Sequence, residues 1–144
     1  MFEVHDGVRS RRGSADPGKF LLNYALLGAE QAVEEWKYLV SVTQEAVEEG
    51  IEEDVLGRTA HDRWVPFAQN SAGDVLFVDH RPGDCYGNVG ELSFGATSYR
   101  NLWANPTEML LNVNRAAPSG GTIESMSYVP AVLDEKILEW VVPD

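Results

Sequence analysis

The sequence predicts a single-domain α+β fold in which a largely antiparallel β-sheet packs against helices. Three observations carry that expectation. Apolar residues recur at helical spacing from Glu30 to Glu49,. Two apolar runs, Arg63 to Ala68 and Asp74 to His80, flank the turn-like Gln69-Asn70-Ser71-Ala72-Gly73, which is the pattern of an antiparallel hairpin,. Asn105-Pro106-Thr107-Glu108 then opens a second helix, with a capping residue, proline at the first helical position and glutamate at the third,. The length of 144 residues suits one domain, and no repeat, low-complexity tract or long linker divides the chain,.

The elements follow in order. Val8 to Gly18 is rich in Arg, Ser and Gly and closes on Asp16-Pro17-Gly18, so it reads as a loop,. Phe20 to Leu27 is apolar but short, with Asn23 interrupting it, and fits either strand or turn. In the first helix Ala32, Trp36, Leu39, Val40, Thr43 and Val47 form the expected buried stripe,. Gly50 stands where a left-handed residue ends a helix,. Pro66 lacks the N–H that a sheet ladder needs, which puts the strand Arg63 to Ala68 at an edge or a bulge,.

Beyond the hairpin, Arg81-Pro82-Gly83-Asp84 is a turn, and Asn88 to Phe94 a third strand ended by Gly95,. Tyr99 to Trp103 is expected as a separate helical turn, since Pro106 would break a continuous helix,. Met109, Leu110 and Val113 supply the buried face of the second helix. Pro118-Ser119-Gly120-Gly121 reads as a loop and Lys136 to Val142 as a terminal strand, with Trp103 and Trp140 completing the core.

Charge restricts the partners. Lys and Arg total 11 against 23 Asp and Glu, a formal net charge of −12. Such a surface repels nucleic-acid phosphates and anionic lipid, and speeds encounter with a basic protein. The acids are concentrated: nine fall between Glu30 and Asp54, namely Glu30, Glu34, Glu35, Glu45, Glu48, Glu49, Glu52, Glu53 and Asp54, with Lys37 the one base among them. Arg9, Arg11, Arg12 and Lys19 form a small basic strip near the start. No run approaches the ~20 apolar residues of a membrane helix. The N-terminus has no secretory pattern, and the single Cys85 excludes an internal disulfide, so a cytoplasmic location is expected,.

The residues do not assemble a recognisable reaction centre. His5-Asp6 and His61-Asp62 have the look of metal-dependent phosphohydrolase pairs, but only His80 remains to complete a ligand set,. Cys85 lies on a turn in acidic surroundings that would raise, not lower, its thiol pKa. Gly83, Gly87 and Gly90 lack the Lys-Ser/Thr and the following helix of a phosphate loop,. Asp74, Asp79 and Asp84 lack calcium-loop spacing,. No catalytic residue, metal or cofactor is therefore expected.

One ordered series is more specific. Arg63-Trp64-Val65-Pro66-Phe67-Ala68, Gly73-Asp74-Val75-Leu76-Phe77-Val78-Asp79, Pro82-Gly83 and Gly87-Asn88-Val89-Gly90 follow one another, preceded by a helix bearing Trp36. This series resembles the core signature of the SUKH superfamily, which includes bacterial toxin-immunity proteins and fungal cell-wall-synthesis regulators. Phe2-Glu3-Val4-His5-Asp6-Gly7 resembles the segment after that family's first helix. The resemblance thus implies one domain over residues 1–144, with the family's N-terminal helical layer either missing or trimmed from the start.

For function, the resemblance implies a non-enzymatic immunity protein that binds a cognate toxin directly, or alternatively an intracellular regulatory or adaptor module. The charge adds a mechanism for the first, because a nuclease toxin carries a basic face that a −12 partner could occupy,. The expected partner-binding residues are Glu34, Glu35, Glu45 and Glu48 on the acidic helix and the strand-edge groups Trp64, Asp74 and Asp79.

Overall fold

The structure, a computed structural model, describes residues 21, 23–50, 60–95, 98–119, 129–133 and 137–141, with backbone alone for 98, 117–119 and the last two strands. The expected N-terminal loop with its basic strip, the segment Phe2 to Gly7 and the acids Glu52, Glu53 and Asp54 lie outside the described residues, as does the side chain of Trp140. The fold is α+β, as the sequence predicts.

Five strands form an antiparallel meander in the order β1-β2-β3-β4-β5: Ala25–Leu26, Trp64–Gln69, Val75–Asp79, Val89–Ser93 and Ser98–Trp103. Helix α1, Ala29–Glu48, precedes β2, and helix α2, Pro106–Ser119, follows β5. A separate antiparallel pair, β6 (Val129–Leu133) and β7 (Ile137–Val141), closes the chain order. No helix among the described residues is long and apolar enough to cross a membrane.

The two helices cover opposite faces of the sheet. Leu39 of α1 packs with Trp64, Phe77, Leu92 and Ala60 on one face. Met109 and Ala116 of α2 pack with Ala68, Leu76, Val89 and Trp103 on the other, joined by Leu21 and Tyr24. Strand β3 lies between them, so Leu76 and Phe77 are both fully buried although they point in opposite directions,. A strand covered on both sides needs a nearly continuous apolar run, and Val75-Leu76-Phe77-Val78 is one,.

Two bulges shape the sheet. On β2 the register slips between Pro66 and Ala68, leaving Phe67 as the extra residue, so Phe67 and Ala68 both reach the α2-side core,. The Phe67 carbonyl accepts the Leu27 N–H at 2.9 Å, tying the lead-in of α1 to the bulge. On β4–β5 the register slips between Val89 and Gly90, and Leu102 and Trp103 likewise both face the α2 side. Pro66 therefore stands beside a bulge, on a stretch of β2 that the two-residue β1, paired with Ala68 and Gln69, does not cover.

Local signals hold both helices. Gln31 accepts the Gly28 N–H at 3.1 Å at the start of α1, and Gly50 ends it with φ of 78°,. Asn105 accepts the Glu108 N–H at 2.8 Å, while the Glu108 carboxylate takes the Ala104 N–H at 2.9 Å.

Four expectations are corrected. Tyr99 to Trp103 is part of strand β5, not a helical turn, because it pairs along β4. Leu110 is exposed, since Met109 and Ala116 take the inward positions of α2. The backbone of α2 continues through Pro118 to Ser119, where a loop was expected. In α1 the residues that meet the sheet are Leu39, Thr43 and Ala46, whereas Trp36 and Val47 are exposed. The apolar stripe of α1 is wider than the face it buries.

Gly90 is the closest approach in the core. It pairs with Phe77, whose ring lies where a Cβ on Gly90 would stand, and a second ring atom would be 2.8 Å away. Gly90→Ala is expected to destabilise the fold by about 1–3 kcal/mol through this overlap. Urea denaturation should show a lower midpoint with an unchanged slope; an unaltered midpoint would contradict the packing described here.

Candidate functional site

The residues singled out in the sequence separate into a buried group and an exposed group. Trp64 and Asp79 are fully buried, on adjacent, paired positions of β2 and β3. Asp79 is no strand-edge group, because β3 lies between β2 and β4. Trp64, by contrast, stands on a stretch of β2 whose outer side β1 does not reach, since β1 pairs with Ala68 and Gln69 alone. The Trp64 ring stacks on Phe77 with centroids 4.0 Å apart and planes at 15°. Tyr99 tilts against the same ring at 5.0 Å.

Arg81 covers this stack. Its guanidinium lies 5.4 Å above the Trp64 ring and 5.3 Å above the Tyr99 ring, within cation–π range,. Its Nε donates to both oxygens of Asp79 at 3.1 and 3.0 Å, and its Nη2 donates to Oδ2 at 2.6 Å. The Arg81 backbone N–H adds a bond to Oδ1 at 2.8 Å. These hydrogen bonds hold the Arg81 pKa above its ordinary value against the opposing effect of burial. The pair closes the β3 end of the core, a structural assignment that sequence alone could not make. The Trp64 indole N–H is buried with no hydrogen-bond partner among the described residues.

Asp74 has a different local task. The Asn70 side-chain oxygen accepts the N–H groups of Ala72 and Asp74, each at 2.9 Å, and its amide donates to Asp74 Oδ2 at 3.0 Å. Asp74 Oδ1 then accepts the Phe94 N–H at 3.1 Å. The carboxylate thus ties the β2–β3 turn to the end of β4, with Gly73 supplying the φ of 90° that the turn requires,.

His61 sits beside this cluster, its ring 6.3 Å from Trp64. Burial, outweighing the Asp62 charge, pushes its pKa down. In the neutral ring Nδ1 accepts the Arg63 N–H at 3.1 Å; protonation would turn the same nitrogen to the Asp62 carboxylate 3.0 Å away. On the other face, the Tyr24 hydroxyl donates to Glu91, which also pairs with Arg100 at 2.6 Å. Burial and the Glu91 carboxylate push the Tyr24 pKa up. Among the described residues no group of three or more His, Cys, Asp or Glu side chains is arranged to hold a metal ion.

The exposed group lies on α1. Glu30, Glu34, Glu45, Glu48 and Glu49 face solvent, and none carries an ion pair among the described residues. Glu35 is half-buried beneath them and accepts a hydrogen bond from Gln69 at 3.0 Å. Beside the acids stand the exposed apolar side chains Val33, Trp36, Tyr38 and Val47. Trp36 donates its indole N–H to the Asp62 carbonyl at 2.8 Å, and Tyr38 lies 5.6 Å from the Phe94 ring on the opposite flank. Acids and aromatics together make a surface suited to binding protein, and of these aromatics Trp36 was expected from the sequence on the buried stripe,. No protein-family model and no curated protein matches the chain.

Two outcomes test this assignment of roles. Arg81→Ala would strand the buried Asp79 carboxylate and should cost about 3–5 kcal/mol of unfolding free energy. Arg81→Lys should fall between that and wild type, because lysine keeps the charge but loses the fork and the stacking. A loss below about 1 kcal/mol for the alanine variant would show the pair to be unimportant to the fold.

The second concerns Glu35, whose pKa burial raises against the Gln69 hydrogen bond. The stability it contributes is complete below its ordinary value of 4.5 and is lost as pH rises through the elevated native value,. Glu35→Gln should therefore melt at or above the wild-type temperature at neutral pH, with the difference shrinking in acid. A melting temperature lower at neutral pH than in acid, relative to wild type, would reverse the sign.

Proposed function

We propose that the protein is a non-enzymatic binding module and, on its resemblance to the SUKH superfamily, an immunity protein that neutralises a cognate basic toxin domain by direct contact. The observation that supports this most is the outer face of α1, where Glu30, Glu34, Glu45, Glu48 and Glu49 are exposed next to Val33, Trp36 and Tyr38. Exposed acids on a chain of net charge −12 steer a basic partner toward the helix,. The exposed part of Trp36, with Val33 beside it, supplies desolvated contact area, from which most binding free energy comes,. A nuclease is the toxin class that fits, since it must present a basic surface to its own substrate.

Trp64, Asp74 and Asp79 are left out of the proposed interface. Each is committed to the core or to a turn, so a change there would alter binding through the fold rather than through contact. Among the four glutamates expected from sequence, Glu34, Glu45 and Glu48 remain candidates for direct contact, and Glu35 is better placed to support the helix from beneath.

The test is affinity capture from the native cell lysate with wild-type protein and with a Glu34→Lys, Glu45→Lys, Glu48→Lys variant as baits. One stoichiometric basic protein is expected on the wild type, weakened by high salt and lost from the variant. That protein should arrest growth when expressed alone, and co-expression of the wild-type chain should relieve the arrest. A captured partner that is acidic, indifferent to the charge reversal, or harmless to the cell would sink the immunity reading.

A further inference from the structure

We infer that one flank of α1 is a docking seam for a helix of the basic partner, bordered by acids that match lysines or arginines on that helix. The inference rests on the reading of a basic protein partner and names the form that partner takes. Val33, Trp36, Val40 and Val47 are spaced by three, four and seven residues, with Thr43, buried at the edge of the sheet-facing side, at the position between the last two. This is the alternation that lets two helices pack along one line. At about 100° per residue, Val33, Trp36, Val40 and Val47 fall on one flank of the helix, away from the Leu39 and Ala46 face that meets the sheet.

The structure leaves this flank open. Val33 is 50% exposed, Trp36 40% and Val47 56%, with Val40 half-buried between them. The one polar atom of the Trp36 ring is already bonded to the Asp62 carbonyl, so the exposed remainder of the indole is apolar. The seam runs from Val33 to Val47, roughly 21 Å at 1.5 Å per residue, the length of a partner helix of about four turns. Thr43 does not interrupt it, because its hydroxyl donates back to the Leu39 carbonyl at 2.8 Å.

Charge selects the occupant. The solvent border of the seam carries Glu30, Glu34 and Glu48 against the single base Lys37, and the chain as a whole is at −12. A second copy would bring the same acids and the same net charge against this border, which disfavours self-association. A helix with an apolar row flanked by Lys and Arg satisfies both the seam and its border, the arrangement by which grooves and helix faces take amphipathic helices.

The test uses the full chain and two synthetic fluorescent peptides of about three heptads. One places leucines at alternating three- and four-residue spacing among lysines; the other has the same composition with the leucines scattered. The patterned peptide should bind at least about tenfold tighter. That advantage should vanish in a Val33→Ser, Val47→Ser variant and persist in a Leu110→Ser, Leu111→Ser variant, which removes equally exposed apolar side chains from α2. Equal, salt-sensitive binding of the two peptides would overturn the seam while leaving the basic-partner reading intact. No binding of either would overturn both. A dimer seen by sedimentation and abolished by the Val33→Ser, Val47→Ser change would assign the seam to a second copy and overturn the proposed occupant.

Discussion

The contact on which the rest of this structure depends is the Phe77 ring, held between Gly90 and Trp64. Phe77 crosses from β3 over the backbone of β4, and only a residue without a Cβ leaves room for it. Trp64 then stacks on its other side, which brings β2 and β3 to a fixed spacing beneath α1. Leu39 and Ala60 close against this pair. The arrangement places three strands and one helix in register through a single aromatic sandwich, and any change in its thickness would be transmitted to all of them.

Burial on that scale leaves Asp79 and Arg81 as the exception that must be accounted for. A carboxylate with no solvent exposure is tolerated because the guanidinium supplies a planar fork and the Arg81 backbone adds one more N–H,. The guanidinium in turn lies within cation–π distance of both Trp64 and Tyr99. The pair therefore works as a cap on the aromatic stack, and its chemistry is that of positioning. The Asp79 carboxylate is taken up on both oxygens by the Arg81 side chain and backbone, an arrangement suited to a rigid scaffold.

Much of the fold was legible because its signals are local. The Gly50 terminus, the Asn105-Pro106 start and the Gln69–Gly73 hairpin depend on a few neighbouring residues, and each lies within a residue or so of its expected place. The errors arose where long-range pairing decides. Tyr99 to Trp103 has no clear alternation because the bulge at Leu102 turns two consecutive side chains to one face, and this hides the strand. The same device on β2 hides the inward turn of Ala68 beside Phe67. The residues of the candidate surface were half legible. Acids on α1 are plain in the sequence, but Trp36 and Val47 match the periodicity of a core face equally well, and only the structure shows that they overhang the buried face formed by Leu39, Thr43 and Ala46.

That overhang is what separates scaffold from surface in this molecule. On α1 the contact with the sheet is made by Leu39, Thr43 and Ala46, two of them small, so the helix sits close and its larger apolar residues fall to the sides. A helix serving only the core would place Trp36 inward and polar residues on the flanks, at no loss of solubility. Here the indole is instead anchored at one edge by the Asp62 carbonyl and otherwise left to solvent, beside glutamates that bind nothing within the described chain. Exposed apolar surface and unpaired like charges both weigh against the isolated domain. Both become favourable when a surface that is apolar at its centre and basic at its rim covers them, because burial then removes the exposed rings from water and the acids acquire the counter-charges they lack.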